Sequence, residues 1–205
     1  MKTDYLRYLQ KEIHSTIFAT IDSENHPVTC VIDIMLSDDK GLYFLTAKGK
    51  SFYERLKRNS FISLTGLKGK DTMSSQSITL RGKVREIGQQ YLDDIFTENP
   101  YMAEIYPNEE SRSALTVFQI YEGTGEFFDL SRRPIFREVF AFGDCSIIKS
   151  GFYVTDKCIC CKICSKVCPQ KCIIDTDCSV TIYQEHCLHC GKCQEVCPEK
   201  AIERR

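Results

Sequence analysis

Eight of the chain's 13 cysteines fall into two copies of C-x-x-C-x-x-C-x-x-x-C-P. The first copy is Cys158, Cys161, Cys164, Cys168 and Pro169; the second is Cys187, Cys190, Cys193, Cys197 and Pro198. The offset is constant, since 187 − 158 and 197 − 168 both give 29. This run is the bacterial pattern for iron–sulfur ligation. A 4Fe–4S cube needs four thiolates, and three cysteines at i, i+3 and i+6 wrap one side of it. The fourth comes from elsewhere, in two-cluster proteins from the other copy. One cluster is thereby assigned to Cys158, Cys161, Cys164 and Cys197. The other takes Cys187, Cys190, Cys193 and Cys168. The proline after each fourth cysteine turns the chain and has no N–H to satisfy. The chemistry expected here is electron transfer.

Two other uses of cysteine fit less well. Zinc sites are usually built from separated C-x-x-C pairs rather than a triple followed by C-P. A disulfide framework needs an oxidising compartment. No apolar segment opens the chain at Met1-Lys2-Thr3-Asp4-Tyr5, so the expectation is a reducing cytoplasm. Thiolates and oxygen-sensitive clusters also fit an anaerobe.

The stretch from Phe152 to Ile202 resembles the bacterial two-cluster 4Fe–4S ferredoxin domain. Each copy opens on a β-like run, Phe152-Tyr153-Val154-Thr155 or Val180-Thr181-Ile182-Tyr183. A cysteine loop, a short helix and a small apolar ending follow. Pro169-Gln170-Lys171-Cys172-Ile173 matches Pro198-Glu199-Lys200-Ala201-Ile202. Cys172 therefore stands where the other copy has Ala, and reads as a small core residue rather than a ligand. The family often has Gly directly after the second cysteine; Gly191 is there in the second copy and Lys162 in the first. Lys162 and the extra thiol Cys160 are departures able to tune a potential, which charge, exposure and hydrogen bonds to sulfur set; Cys160 and Cys178 equally read as spare cysteines. His189 reads as a solvent-facing loop residue.

The cysteine distribution divides the 205 residues into two expected domains, 1–145 and 146–205. Only Cys30 and Cys145 precede position 158. The small second domain would lean on its clusters for stability. Net charge is −1, which does not point to nucleic acid. No run of 18 apolar residues is present, so no membrane span is expected.

Residues 1–145 read by period as mostly strands with a few helices. Asp4 to Ile13 reads as a short amphipathic helix. Strands are expected over 17–22, 28–36, 42–46, 61–67, 77–87, 115–121, 125–130 and 137–142, and a helix near 89–98. Turns are read at 23–27 and 38–41. Many short strands with turn signals suggest a barrel. Between 46 and 58 lies a basic loop, Ala47-Lys48-Gly49-Lys50, entering a helix from Ser51 to Arg58. Ser51 reads as its N-cap, with Glu54 in capping-box spacing. Cations beside a helix N-terminus suit a phosphate. Lys48 and Lys50 equally fit solvated loop charges, with Ser51 only a cap.

Ile17-Phe18-Ala19-Thr20-Ile21-Asp22, Pro27-Val28, Leu42-Tyr43-Phe44-Leu45-Thr46, Lys50-Ser51, Leu56 and Asn59, in that order, are similar to the pyridoxamine 5′-phosphate oxidase-like split β-barrel family. Ile78-Thr79-Leu80-Arg81-Gly82-Lys83-Val84 follows in the expected place, and the likeness covers residues 5–142. The fold class is thus mainly β, a split β-barrel of the flavin-binding type, plus a small α+β ferredoxin-like domain. The resemblance implies FMN at a homodimer interface. It places the strand of Thr29, Cys30 and Val31 beside the isoalloxazine, and Leu45 and Thr46 on the next strand. Lys48, Lys50 and Ser51 are its phosphate residues, and Arg81 a further candidate. Cys30 and Val31 equally fit barrel packing. Members often carry Arg or Lys where this chain has Thr29-Cys30, which leaves fewer positive charges here. Arg132-Arg133-Pro134 reads as a solvated basic turn, or as part of a substrate or docking surface.

No Ser-His-Asp or metal-hydrolase arrangement stands out, and His14 and His26 have no partner spacing. The function these readings compose is a redox protein passing electrons between two 4Fe–4S clusters and FMN. It would act as an oxidoreductase on a small acceptor or a redox partner protein. The alternatives are an electron carrier with no substrate of its own, an iron–sulfur redox sensor, or a barrel holding pyridoxal phosphate or haem.

Overall fold

A computed structural model of the chain describes residues 4–147, 150–176 and 179–205. They form two compact units. The first comprises residues 4–68, 77–127 and 140–147; the second comprises the described residues of 69–76, 128–139 and 150–205. The second unit thus takes in two stretches from the middle of the chain as well as its end. Cys178 lies outside the described residues.

The larger unit begins with α1 (Tyr5–Tyr8), which continues as a π-helical turn over Leu9–Ile13. It ends at His14, in a positive-φ conformation (62°). Strands β1 (Ser15–Ile21), β2 (Pro27–Asp33), β3 (Leu36–Asp38) and β4 (Gly41–Ala47) follow, then helix α2 (Ser51–Arg58). Next come β5 (Phe61–Lys68), β6 (Gln76–Gly88), α3 (Leu92–Glu98), α4 (Met102–Ile105) and α5 (Glu109–Arg112). Strands β7 (Leu115–Asp129) and β8 (Phe136–Phe142) complete an eight-stranded sheet, ordered β2-β1-β5-β6-β7-β4-β3 with β8 on β7.

Strand β4 shows why its sequence is apolar at consecutive positions. Gly41 to Thr46 are all buried, so both faces of the strand are covered. Phe44 meets Phe18 and Phe118 with ring centroids 4.9 and 5.7 Å apart. On the opposite face Tyr43 and Leu45 pack with Met35, Ile95, Phe96, Met102 and Val117. Burying each large apolar side chain contributes about 1.5–3 kcal/mol.

Three boundaries depart from the pattern reading. The strand expected over 28–36 stops at Asp33, because the Ile34 N–H donates to the His14 carbonyl at 2.8 Å. The Met35 N–H turns instead to the Tyr43 carbonyl, also at 2.8 Å. The two strands expected over 115–121 and 125–130 are one strand of 15 residues. Its glycines keep it running: a Cβ at Gly125 would come within 2.3 Å of the Phe140 ring. Lys50, not Ser51, is the N-cap of α2, and no side chain caps it.

In the second unit, β9 (Phe152–Val154), α6 (Ile163–Val167) and β10 (Ile173–Asp175) come from the first cysteine copy. Strand β11 (Val180–Ile182), α7 (Lys192–Glu195) and β12 (Ile202–Arg204) come from the second. The strands pair β9 with β12 and β10 with β11, both antiparallel. Each pair therefore joins one copy to the other, and the copies interlace. Phe152, Ile173, Val180, Ile182 and Ile202 make the core with the buried thiols of Cys164, Cys172, Cys187 and Cys193.

Candidate functional site

Interlacing brings thiols of both copies together. Cys158, Cys161, Cys164 and Cys197 line one small cavity, partly open to solvent. Cys168, Cys187, Cys190 and Cys193 line a second. Each set is three thiols from one copy and the fourth from the other. Among the described residues no three His, Cys, Asp or Glu side chains are arranged to hold a metal ion directly. The thiols instead line the two cavities in two sets.

The backbone of the two loops repeats with the sequence. Positive φ occurs at Cys160, Lys162 and Lys171, and again at His189, Gly191 and Lys200, each 29 residues on. Lys162 (61°) adopts the left-handed conformation of Gly191 (78°) at the cost a side chain carries there, about 1–3 kcal/mol. These turns aim N–H groups at sulfur. The His189 N–H donates to Cys187 Sγ at 3.4 Å, and the Ala201 N–H to Cys197 Sγ at 3.3 Å. Such donors stabilise thiolate charge.

A fifth thiol belongs to the second cavity. Cys172 is buried in its lining, with Sγ 3.5 Å from Cys168 Sγ. It is a core residue, as expected, but one in contact with two of the expected ligands. The Cys172 S–H donates to Cys187, pulling the Cys187 thiol down and pushing its own up. Burial opposes the change at Cys187; the His189 N–H and the Arg137 guanidinium reinforce it. Burial raises the Cys193 thiol to about 11, with the neighbouring Cys187 adding to the effect.

In the barrel unit the expected ligand residues separate onto different faces. Cys30 faces the same side of β2 as Val28, and its register partner is the buried Phe18. Thr29 and Val31 alternate to the other side and are exposed, as is Arg81 on β6. Leu45 lies in the apolar cluster under α3 and α4, while Thr46 points to the opposite face of β4. Lys48, Lys50 and Ser51 are exposed in the turn into α2.

The residue that joins several of these is Arg55, which the motif reading does not single out. Its Nε donates to Thr20 Oγ1 at 2.8 Å and its Nη1 to Ser51 Oγ at 3.3 Å. Burial pushes the Cys30 thiol up, and Arg55, hydrogen-bonded to it, pulls the other way with help from Lys50. The available signal was spacing: Arg55 is one helical turn after Ser51, on the same face. Close by on the chain, buried Thr46 Oγ1 has no hydrogen-bond partner among the described residues. An unpaired buried hydroxyl costs about 1–3 kcal/mol. Three cations and a helix N-terminus suit a phosphate-bearing ligand, and Arg55 supplies the charge that β2 lacks.

Outside these sites, His14 gains a partner its spacing did not show: its Nε2 is 2.9 Å from the Tyr101 hydroxyl. Arg132 and Arg133 are used within the turn. Arg132 Nε is 3.1 Å from buried Asp129, and Arg133 donates to the Leu130 and Arg132 carbonyls.

Comparison with known proteins matches two stretches of the chain. Residues 3–125 match the model of the pyridoxamine 5′-phosphate oxidase family, and residues 180–203 match that of the 4Fe-4S binding domain. A NimC/NimA family protein from Clostridium acetobutylicum superposes with a TM-score of 0.56 at 17% identity, over 67% of this chain and 90% of its own. A protein from the same organism, related to general stress protein 26 of B. subtilis and of the pyridoxinephosphate oxidase family, gives a TM-score of 0.50. Its identity is 17%, over 65% of this chain and 89% of its own. No curated protein matches the chain at a significant level. No helix among the described residues is long and apolar enough to cross a membrane.

Proposed function

The chain belongs to the pyridoxamine 5′-phosphate oxidase family, and from that premise we propose that it is an oxidoreductase coupling two 4Fe–4S clusters to FMN. One cluster is held by Cys158, Cys161, Cys164 and Cys197, the other by Cys168, Cys187, Cys190 and Cys193. The observation that supports this most is the composition of the two cavities, each lined by three thiols of one copy and the fourth of the other. A bound flavin supplies the chemistry that links one-electron carriers to two-electron reactions on a small acceptor.

On the barrel, Arg55, Lys50, Lys48 and Ser51 hold the FMN phosphate. Cys30 lies alongside Arg55. Thr29, Val31 and Arg81 face outward on a sheet surface that also exposes Ile17 (54%), Phe61 (50%) and Leu67 (66%). That surface is apolar enough to be covered by a second copy, which makes the unit a homodimer. The thiol chemistry requires a reducing compartment such as the cytoplasm.

The test is to purify the chain anaerobically and measure iron, acid-labile sulfide and released flavin. Spectra before and after dithionite complete it. This reading expects about eight iron and eight sulfide with about one FMN per chain. Eight iron without flavin would remove FMN from the account and leave an electron carrier or sensor. About four iron would remove the second cluster.

A further inference from the structure

Arg137 belongs to neither cysteine motif, yet it reaches one of them. Its Nη1 donates to the Cys187 carbonyl at 3.2 Å. Its neighbours hold the same region. The Ile135 carbonyl accepts from His186 Nδ1 at 2.8 Å, and the Ile135 N–H donates to Gln170 Oε1 at 3.4 Å. The Phe136 ring meets the His186 ring edge-on, with centroids 6.4 Å apart. His186 directly precedes Cys187, and Gln170 follows Cys168-Pro169. One three-residue segment therefore touches both stretches that deliver thiols to the second cavity.

The two cavities also differ in charge. The lining of the first includes Lys162 and Glu199, and Lys162 is itself 3.7 Å from Asp175. Among the described residues the lining of the second includes Lys192 and no carboxylate, although Lys192 is paired with Glu195 at 3.0 Å. Arg137 adds a cation beside Cys187. A second difference is a thiol: Cys172 lines the second cavity, its Sγ 3.5 Å from Cys168 Sγ, where Ala201 lines the first, and beside a ligating thiolate its S–H can only donate.

Both differences act in one direction. Reducing a cluster adds one negative charge to it. A nearby cation, and a thiol donating to ligand sulfur, favour that state, since net charge and hydrogen bonds to sulfur set the potential. We propose that Arg137 and Cys172 make the cluster held by Cys168, Cys187, Cys190 and Cys193 the higher-potential one of the two. A single electron taken from a low-potential donor then settles there before it leaves the protein. This rests on the two-cluster reading.

The test is an EPR-monitored redox titration of the anaerobic full-length protein with dithionite. The native protein gives two one-electron transitions with separate midpoints. Arg137→Gln lowers the upper one by about a tenfold change in the reduced-to-oxidised ratio, about 59 mV for a one-electron couple, and leaves the lower one in place. Arg137→Lys keeps the charge and restores most of the shift, which a purely structural role would not give. Cys172→Ala moves the same midpoint down by less. The signal that moves is the one altered by Cys190→Ser and not by Cys161→Ser. Coincident native midpoints, or an unmoved upper midpoint in Arg137→Gln at full iron loading, overturn the proposal. If Arg137→Gln does not load iron, an unmoved midpoint in Cys172→Ala overturns it. About four iron per native chain, instead of eight, defeats the two-cluster reading itself and is told apart by the iron assay.

Discussion

Lys162 and Gly191 hold the same left-handed backbone turn, at φ 61° and 78°, each directly after the second cysteine of its copy. The duplication is therefore kept in backbone shape even where the glycine is not. A left-handed non-glycine residue costs about 1–3 kcal/mol, and glycine gives part of that back through its freer unfolded chain.

Lys162→Gly is accordingly expected to stabilise the cluster-loaded protein by about 0.5–1 kcal/mol. Gly191→Ala should cost about 1–2 kcal/mol from backbone alone, since its new Cβ would meet only the Phe152 ring at 3.7 Å. Urea midpoints followed by cluster absorbance check both signs. A stabilising Gly191→Ala would contradict the shared turn.

Arg55 ties Thr20, Ser51 and Cys30 together. Arg55→Ala should weaken FMN binding by about tenfold or more, the effect of losing a hydrogen bond to a charged group. Fluorescence titration with FMN measures it. Affinity equal to the native protein's would remove Arg55 from the phosphate site.

Cys30 offers a check that needs no flavin. Burial holds its thiol above the ordinary range while Arg55 pulls it back. The thiolate is the reactive form, so Cys30 should alkylate slowly near pH 8 and faster as pH rises. In Arg55→Ala the thiol rises further and alkylation slows. Peptide mass spectrometry of the cluster-loaded chain follows Cys30 separately from the other cysteines. Faster labelling in the variant would show that Arg55 mainly shields it.

Asp129 is fully buried and accepts from the Ser131 N–H at 2.8 Å and from Gln76 Nε2 at 2.9 Å. It joins the 69–76 stretch to the 128–139 stretch within the second unit. Burial raises its pKa, but the Ser131, Gln76 and Arg132 contacts outweigh it and hold the carboxyl below its ordinary value. Its contribution is therefore full above the unfolded value near 3.9 and fades as pH falls through the folded one. Asp129→Asn should cost about 1.5–3 kcal/mol and speed amide exchange at Leu130 and Ser131. Unchanged exchange there would contradict this role.

The cysteine loops were legible because ligation demands fixed residue types at fixed spacing. The β4 strand was legible because burial on both faces leaves a continuous apolar run, Leu42 to Leu45. What decides a face was less so. Leu45 and Thr46 are adjacent in a strand and so point apart, but which of the two faces carries the cluster under α3 and α4 shows only in the fold. Arg55 looked like any helix cation, since its partners Thr20 and Cys30 come from other strands. The break after Asp33 depends on the His14 carbonyl, a contact no local pattern contains. The grouping of 128–139 with the cysteine loops likewise depends on Ile135 and Arg137 reaching residues about fifty positions away.

The central claim is that electrons pass between the clusters and FMN within this protein. Anaerobic stopped-flow absorbance of bound FMN, with a one-electron donor too large to reach the flavin, tests it most directly. The account predicts rapid flavin bleaching in the native protein. It predicts loss of that phase in Cys161→Ser and in Cys190→Ser, with FMN still bound in each. Bleaching at the native rate in both variants would contradict it.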